Sequence, residues 1–432
     1  MRKYYRLILL IFLFVSTICL LFYWHEYNRL RYVLEVLNFF GQPPEVSVTS
    51  DCLLNTSLFS AENVTIPDNI TPVWHRLGND LFVFSAFWEV IGKKEHVKVI
   101  GVARYAATLK LGCRLWYEGQ EFSAEGRISH SVISMKVSHA LDDPDKVNPY
   151  FILCTPEVTL DAPPYAVELF SEDQQPRPSP VILPVLSLDA SQESSSNATV
   201  VCVAPSGRRI TPSEVAEFVS FHQILGVGQY VIYDDGLLTP TALDILKDKN
   251  LGYKAALLPW NFPFAAPEAA STVLKWDCLL RSLSVHPVGV IQLQWNQLAV
   301  PRYHHTLSAM IRDFDARMST AQFVLTALHF CFEYPEEKSA VPFKALRRFY
   351  HADLKINEDP QLVLQRPSLV VQGLKTQQRI SPGIIAIHTY KQCSEAANKP
   401  APPKKYDNSI AKFKNELQDS RLLKLWSRHR SL

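Results

Sequence analysis

Hydrophobic and polar positions change rhythm several times along the chain. Leu7 to Trp24 (LILLIFLFVSTICLLFYW) is an uncharged apolar run, preceded by Arg2, Lys3 and Arg6 and edged by Tyr4, Tyr5, Tyr23 and Trp24. Such a run is close to the roughly 20 residues of a spanning helix, and no small-x-small cleavage site follows it. It predicts a signal anchor with residues 1–6 in the cytosol and the body across the membrane, a type II orientation. Residues 25–73 read as a stem, and residues 74–175 carry short period-two runs such as DLFVFSAFW, HVKVIGVARYAATLKLGCRLWY and PYFILC, which predict a β-rich N-terminal domain. Residues 176–198 are rich in Pro and Ser and read as a linker.

From Thr199 to residue 395 the pattern becomes strand, helix, strand, which predicts an α/β domain with a mostly parallel sheet. TVVCVAP is a buried strand, Pro212 to Leu225 a helix with Thr211 as N-cap and Pro212 at its first position, and QYVIYDDG the next strand. A helix over Pro240 to Lys249, the strand YKAALLPW, a helix ending in LKWDCLLRSLS and the strand VGVIQLQ follow. Residues 396–432 are basic with helical spacing and read as a solvated terminal helix.

Charge and cysteine content narrow the picture. Across 432 residues, Lys+Arg 44 against Asp+Glu 42 gives no basis for bulk nucleic-acid binding. Asn55, Asn63, Asn69 and Asn197 head N-glycosylation sequons, in agreement with a lumenal body. Of the eight Cys, Cys19 lies in the apolar run; the others have long, irregular spacings and no Cys-x-x-Cys, which favours scattered disulfides over a zinc site.

The chemistry concentrates at strand ends. Asp234 and Asp235 close a strand where open α/β sheets bind ligands, although the same pair before Gly236 also suits a turn. Asp277 and Arg281, four apart on a helix, form either an exposed ion pair or a diphosphate-facing pair. IQLQWNQLAVPR has the frame of a metal-binding acidic turn at the end of a buried strand, but Gln294, Asn296 and Gln297 stand where carboxylates would be.

The ordered blocks SEVAEFVSFHQILGVGQYVIYDDG, GYKAALLPWNFP, WDCLLRS, VIQLQWNQLAVPR and AIHTYKQC resemble glycosyltransferase family 92, also known as a domain of unknown function. FVFSAFWE, VARYAATLKLGCRLWYEG and PYFILCTPE resemble the N-terminal β segment of that family. The resemblance implies a GT-A like nucleotide-sugar fold in a type II Golgi membrane protein that transfers a hexose, galactose in characterised members, from a UDP-hexose to a glycan or glycoprotein acceptor. It also implies Mn²⁺ held by Asp-x-Asp-Glu, which here reads Gln294-Trp295-Asn296-Gln297, with His388 as a further ligand position. Glu333 or Asp313 has suitable chemistry for the general base.

Amide oxygens bring no net charge to a hard cation. Three explanations of the altered motif therefore stand together. Transfer runs without metal and cations such as Arg281 or Arg302 neutralise the diphosphate; Asp234 and Asp235 act as ligands instead; or the chain is an inactive pseudoglycosyltransferase that binds a glycan or a partner.

Overall fold

The computed structural model describes residues 74–430 apart from 79, 92–93, 105–109, 121–122, 134–145, 159, 161, 172–179, 188–197, 315–318, 340, 354–360 and 394–402. The expected anchor Leu7–Trp24, the stem and the sequons at Asn55, Asn63, Asn69 and Asn197 lie outside the described residues.

Among the described residues, the N-terminal part up to Ser187 is built from strands: β1 (His75–Arg76), β2 (Leu81–Ile91), β3 (Lys94–Ala103), β4 (Leu111–Trp116), β5 (Ala124–Val132), β6 (Asn148–Pro156), β7 (Ala166–Ser171) and β8 (Val181–Ser187). They pair in the order β1-β2-β3-β6-β5-β4-β7-β8, and a parallel pairing of β2 with β8 closes strands β2 to β8 into a barrel. Alternation drives the closure, because Leu81, Val83, Ala86 and Trp88 of β2 join Val97, Val99, Leu115, Ile152, Val167 and Leu183 in one buried cluster. The Cys113–Cys154 disulfide lies within it. A Cβ on Gly126 would fall 2.5 Å from Cys154 Sγ and 2.8 Å from Cys113 Sγ, so only glycine fits beside the bond. Gly126→Ala is expected to cost about 1–3 kcal/mol through overpacking, read as a lowered denaturant midpoint with unchanged slope.

A second sheet follows. Its elements are β9 (Thr199–Val203), α1 (Pro212–Ile224), β10 (Val227–Asp234), α2 (Pro240–Lys247), β11 (Lys254–Pro259), α3 (Pro267–Leu283), β12 (Gly289–Leu293), β13 (Gln297–Pro301) and α4 (Leu307–Phe314). β14 (Gln322–Cys331), β15 (Tyr350–Ala352), β16 (Gln361–Gln365), α5 (Pro367–Val371), β17 (Gln377–Arg379) and β18 (Ile385–Lys391) continue the chain. The sheet order is β11-β10-β9-β12-β16-β14-β18-β13, with β17 beside β14. β9 to β12 are mutually parallel and their crossovers are helical, whereas β16 and β13 run antiparallel to their neighbours.

These observations correct the expected fold class. An α/β chain of GT-A type with a smaller β-rich N-terminal domain was expected; strand instead predominates over helix in the described residues, the N-terminal strands close into a barrel of seven, and the second sheet is mixed. The strand-helix alternation that suggested a mostly parallel sheet ends at β12. Beyond it β13 reverses after a tight turn, Gln297 N donating to Gln294 O. The placement is corrected as well: among the described residues no helix is long and apolar enough to cross a membrane. The single-pass type II, Golgi-lumenal placement is therefore not supported by the described residues.

The C-terminal residues pack an apolar face onto the core rather than forming a fully solvated tail. β19 (Lys404–Tyr406) pairs with β15, and α6 (Lys414–Asp419) and α7 (Arg421–Arg430) follow. Ile410, Phe413, Leu417, Leu422 and Leu423 are buried in the main hydrophobic cluster with Phe218, Phe221 and Trp295. Between the barrel and the second sheet lies α3, whose Val273, Leu274 and Leu280 pack with Phe84, Phe87 and Ile100 of the barrel. Cys202–Cys278 ties α3 to β9, and Cys331–Cys393 joins the ends of β14 and β18.

Candidate functional site

Strand direction builds the site. β12 and β14 both run antiparallel to β16, and β14 runs parallel to β18, so β9, β10, β11, β12, β14 and β18 all end at one edge of the sheet. Asp234, Gln294, Phe332 and Lys391 are therefore at or next to the carboxyl ends of parallel strands, the edge at which such sheets bind ligands.

A cavity of about 350 Å³ opens there, lined by Arg208, Glu214, Glu217, Trp295, Asn296, Leu298, Phe332, Lys344, Tyr390, Lys391 and Gln392. Its acids come from the first turns of α1. Thr211 caps the helix in a capping box, with Glu214 N donating to Thr211 Oγ1 and Thr211 N donating to Glu214 Oε2. The free oxygen of Glu214 receives Arg208 at 3.0 Å and Lys344 at 2.8 Å. Burial alone would raise the Glu214 pKa, but hydrogen bonds from Arg208 and Lys344 reverse the shift and bring it to about 2.

Glu217 lies three residues further along the same buried helix face. It accepts Lys344 N at 3.2 Å and Ala345 N at 2.7 Å, the opening amides of a short 3₁₀ turn, Lys344–Leu346. Burial dominates these bonds and pushes its pKa up to about 7. The cavity thus holds two carboxylates with opposed shifts, one kept ionised and one near its midpoint at neutral pH. On the rim, Phe332 is 40% exposed, with the Arg348 guanidinium 4.8 Å from its ring centroid.

The altered motif turn reaches this cavity through Asn296 and Trp295. Gln294 is exposed, Gln297 is buried, and the Gln297 Oε1 accepts Gln294 N at 2.9 Å. Asn296 bridges to β18 in both directions: its Nδ2 donates to Tyr390 O at 3.0 Å and its backbone O accepts Tyr390 N at 2.9 Å. The amide is used as a donor, which a carboxylate cannot be. Asn296→Asp is therefore expected to destabilise the fold by about 1–3 kcal/mol at neutral pH, measured by chemical denaturation, with the loss shrinking as acid protonates the new carboxyl.

The remaining residues singled out in the sequence are placed elsewhere. Asp234 Oδ1 accepts Gly236 N at 2.9 Å, an Asx turn closed by a glycine at φ 78°, and Asp235 Oδ2 accepts Gly207 N at 2.8 Å. Asp277 and Arg281 do not form an exposed pair: Asp277 is wholly buried, with Ser85 Oγ at 2.6 Å, Tyr233 OH at 2.5 Å and Arg281 on both oxygens. Asp313 is exposed and 2.9 Å from His304. Glu333 accepts Cys393 N on both oxygens. Cys331, Glu333 and Cys393 lie within metal-ligand spacing of one another, but both sulfurs are spent in the disulfide.

His388 is wholly buried, its ring 4.3 Å from that of Phe330, and burial drives its pKa down to about 3, leaving it neutral. Arg302 is bound to both oxygens of Asp407. None of these residues lines the cavity. The acids that do, Glu214 and Glu217, had a signal in the sequence: TPSE is a capping box, and Glu217 follows on the same face one turn later.

No family model and no curated protein matches the chain. Among solved structures, HddC from Yersinia pseudotuberculosis is similar with a TM-score of 0.25 and 9% identity, over 45% of this chain and 90% of that one. A UDP-glucose pyrophosphorylase complexed with UDP-glucose is similar with a TM-score of 0.24 and 6% identity, over 51% of this chain and 97% of that one. Likenesses at this level carry no argument about fold or activity, and the resemblance to family 92 rests on its sequence blocks.

Proposed function

We propose that the protein binds a nucleotide sugar and a glycan at the carboxyl-edge cavity and transfers a hexose between them without a metal at Gln294-Trp295-Asn296-Gln297. The observation that carries this reading is the lining of the cavity. Arg208, Lys344 and Lys391 outnumber the carboxylates Glu214 and Glu217, and Trp295, Phe332 and Tyr390 supply apolar surface suited to a sugar or base. Glu217, with a pKa near 7, is the group whose protonation state matches removal of a proton from an acceptor hydroxyl at neutral pH. The test is hexose release and transfer from a panel of UDP-hexoses to glycan acceptors, with and without chelator. Glu217→Gln is expected to lower transfer by about 10²- to 10⁴-fold while calorimetric donor affinity stays within about threefold. Transfer that is abolished by chelator in the unmodified protein would overturn the metal-free reading.

A second reading, a catalytically silent binding protein, is favoured by one contact: both oxygens of Glu217 already accept backbone amides. It predicts saturable sugar-nucleotide binding with no turnover, and a Glu217→Gln variant that is indistinguishable in binding.

A further inference from the structure

A sugar nucleotide loses its sugar with negative charge left on the diphosphate, and a divalent cation ordinarily offsets that charge. The motif turn here has no carboxylate to hold one. The cations that the sequence offered instead are already committed. Arg281 is bound to both oxygens of Asp277, and Arg302 to both oxygens of Asp407. Arg208 and Lys344 converge on a single oxygen of Glu214.

Lys391 is different. It is the last residue of β18, it is half-buried, and it lines the cavity. No carboxylate among the described residues forms an ion pair with it. Its position relative to the motif turn is fixed by its neighbour, because the backbone N and O of Tyr390 are both bonded to Asn296. On its other side, Lys391 O accepts Phe332 N, which fastens the residue to the cavity rim. A half-buried ammonium with no carboxylate partner among the described residues, held beside the motif turn, is suited to receive an anion.

From this geometry we infer that Lys391 supplies the positive charge for the diphosphate of a nucleotide sugar, in the place of a divalent cation. The inference rests on the nucleotide-sugar reading above. His329, two residues before Cys331 on the paired strand, does not compete as a second cation: burial and the charge of Lys391 lower its pKa to about 4, so the imidazole is neutral. The site therefore carries the charge of Lys391 together with the one positive charge that Glu214 leaves uncompensated on Arg208 and Lys344. The ammonium is a positioned charge for an existing phosphate group and forms no covalent bond to it.

The experiment is calorimetric titration of the full chain with UDP, GDP, uridine and free galactose, in excess chelator and again in Mn²⁺. The unmodified protein is expected to bind a nucleoside diphosphate in chelator within about twofold of its affinity in Mn²⁺. Lys391→Gln is expected to weaken diphosphate binding by about 10- to 100-fold, the loss of one charge-assisted contact, with uridine and galactose binding unchanged and Lys391→Arg largely restoring affinity. Equal thermal midpoints for Lys391→Gln and the unmodified protein serve as the folding check. Diphosphate binding that survives Lys391→Gln undiminished, or that requires Mn²⁺, overturns the role of Lys391 while leaving nucleotide-sugar binding intact. Failure of the unmodified protein to bind any nucleoside diphosphate overturns both, and retained galactose or glycan binding in that case marks a sugar-binding protein of another kind.

Discussion

Asp277→Ala is expected to lower stability by about 3–5 kcal/mol. Asp277 has no exposed surface, and its two oxygens satisfy Ser85 Oγ from the barrel, Tyr233 OH from β10 and the Arg281 guanidinium from its own helix. Removing the carboxylate leaves a largely buried guanidinium and two buried hydroxyls without their acceptor at once. The three partners belong to three different elements, so the loss is shared between the barrel, α3 and the second sheet. Chemical denaturation of Asp277→Ala and of Asp277→Asn separates the contributions. The Asn variant keeps the shape and one acceptor and is expected to lose less, because only the charge and one oxygen are gone. A loss below about 1 kcal/mol for the Ala variant, the range of exposed helix pairs, would return Asp277 and Arg281 to the surface pair that their spacing also allows.

The contrast between Asp277 and its sequence neighbours shows what the chain reveals locally and what it withholds. The helix at Pro212 was readable because its cap, its first-position proline and its apolar face are all within one turn of one another, and the structure gives Pro212–Ile224 with Thr211 as N-cap. The strand ending in Asp234 was readable for the same reason. The closed barrel was not, since its decisive pairing joins Ala86–Trp88 to Val185–Ser187 in parallel, and no local rhythm encodes which distant strand closes a sheet.

The cavity was only half legible. Its motif turn stood out, but the meaning of the amides depends on Tyr390, 94 residues away, to whose carbonyl Asn296 donates. A sequence comparison of side-chain types sees a lost acid at that position, whereas the structure places a hydrogen-bond donor where an acid would face a carbonyl oxygen. Restoring a carboxylate at 296 would therefore oppose the fold before it could recruit a cation. Glu217 was missed because its unusual proton affinity comes from burial against Lys344 and Ala345, more than a hundred residues along the chain. The C-terminal residues misled in the opposite sense: their basic surface positions conceal Ile410, Phe413, Leu417 and Leu422, which are core.

The anchor of that C-terminal segment carries the second large effect. Asp407 is buried and accepts two bonds from Arg302, one from Ser409 N, and lies 3.9 Å from His388. Burial alone would raise its pKa, but the bond from Arg302 and the neighbouring charges hold it well below the ordinary carboxylate value. A carboxyl with a depressed folded-state pKa binds its proton more readily in the unfolded chain. Its stabilisation is therefore complete above the unfolded value, near 3.8, and is lost as pH falls toward the folded one. Glu214 acts in the same direction between its ordinary value of 4.5 and about 2. Glu217 has the opposite sign, its raised pKa making the folded state hold a proton more tightly, so its contribution weakens as pH rises from 4.5 toward 7. Asp407→Asn is expected to cost about 3–5 kcal/mol at pH 7, because it leaves the Arg302 charge unpaired. The gap between variant and unmodified protein should then narrow steadily as pH falls below 4, where protonated Asp407 comes to resemble the amide. Urea denaturation of both proteins from pH 7 to pH 2 measures that gap directly. Parallel curves across the whole range would show that the Arg302–Asp407 pair does not fasten the C-terminal segment through its charge, and would leave the packing of Ile410, Phe413 and Leu417 as what holds it.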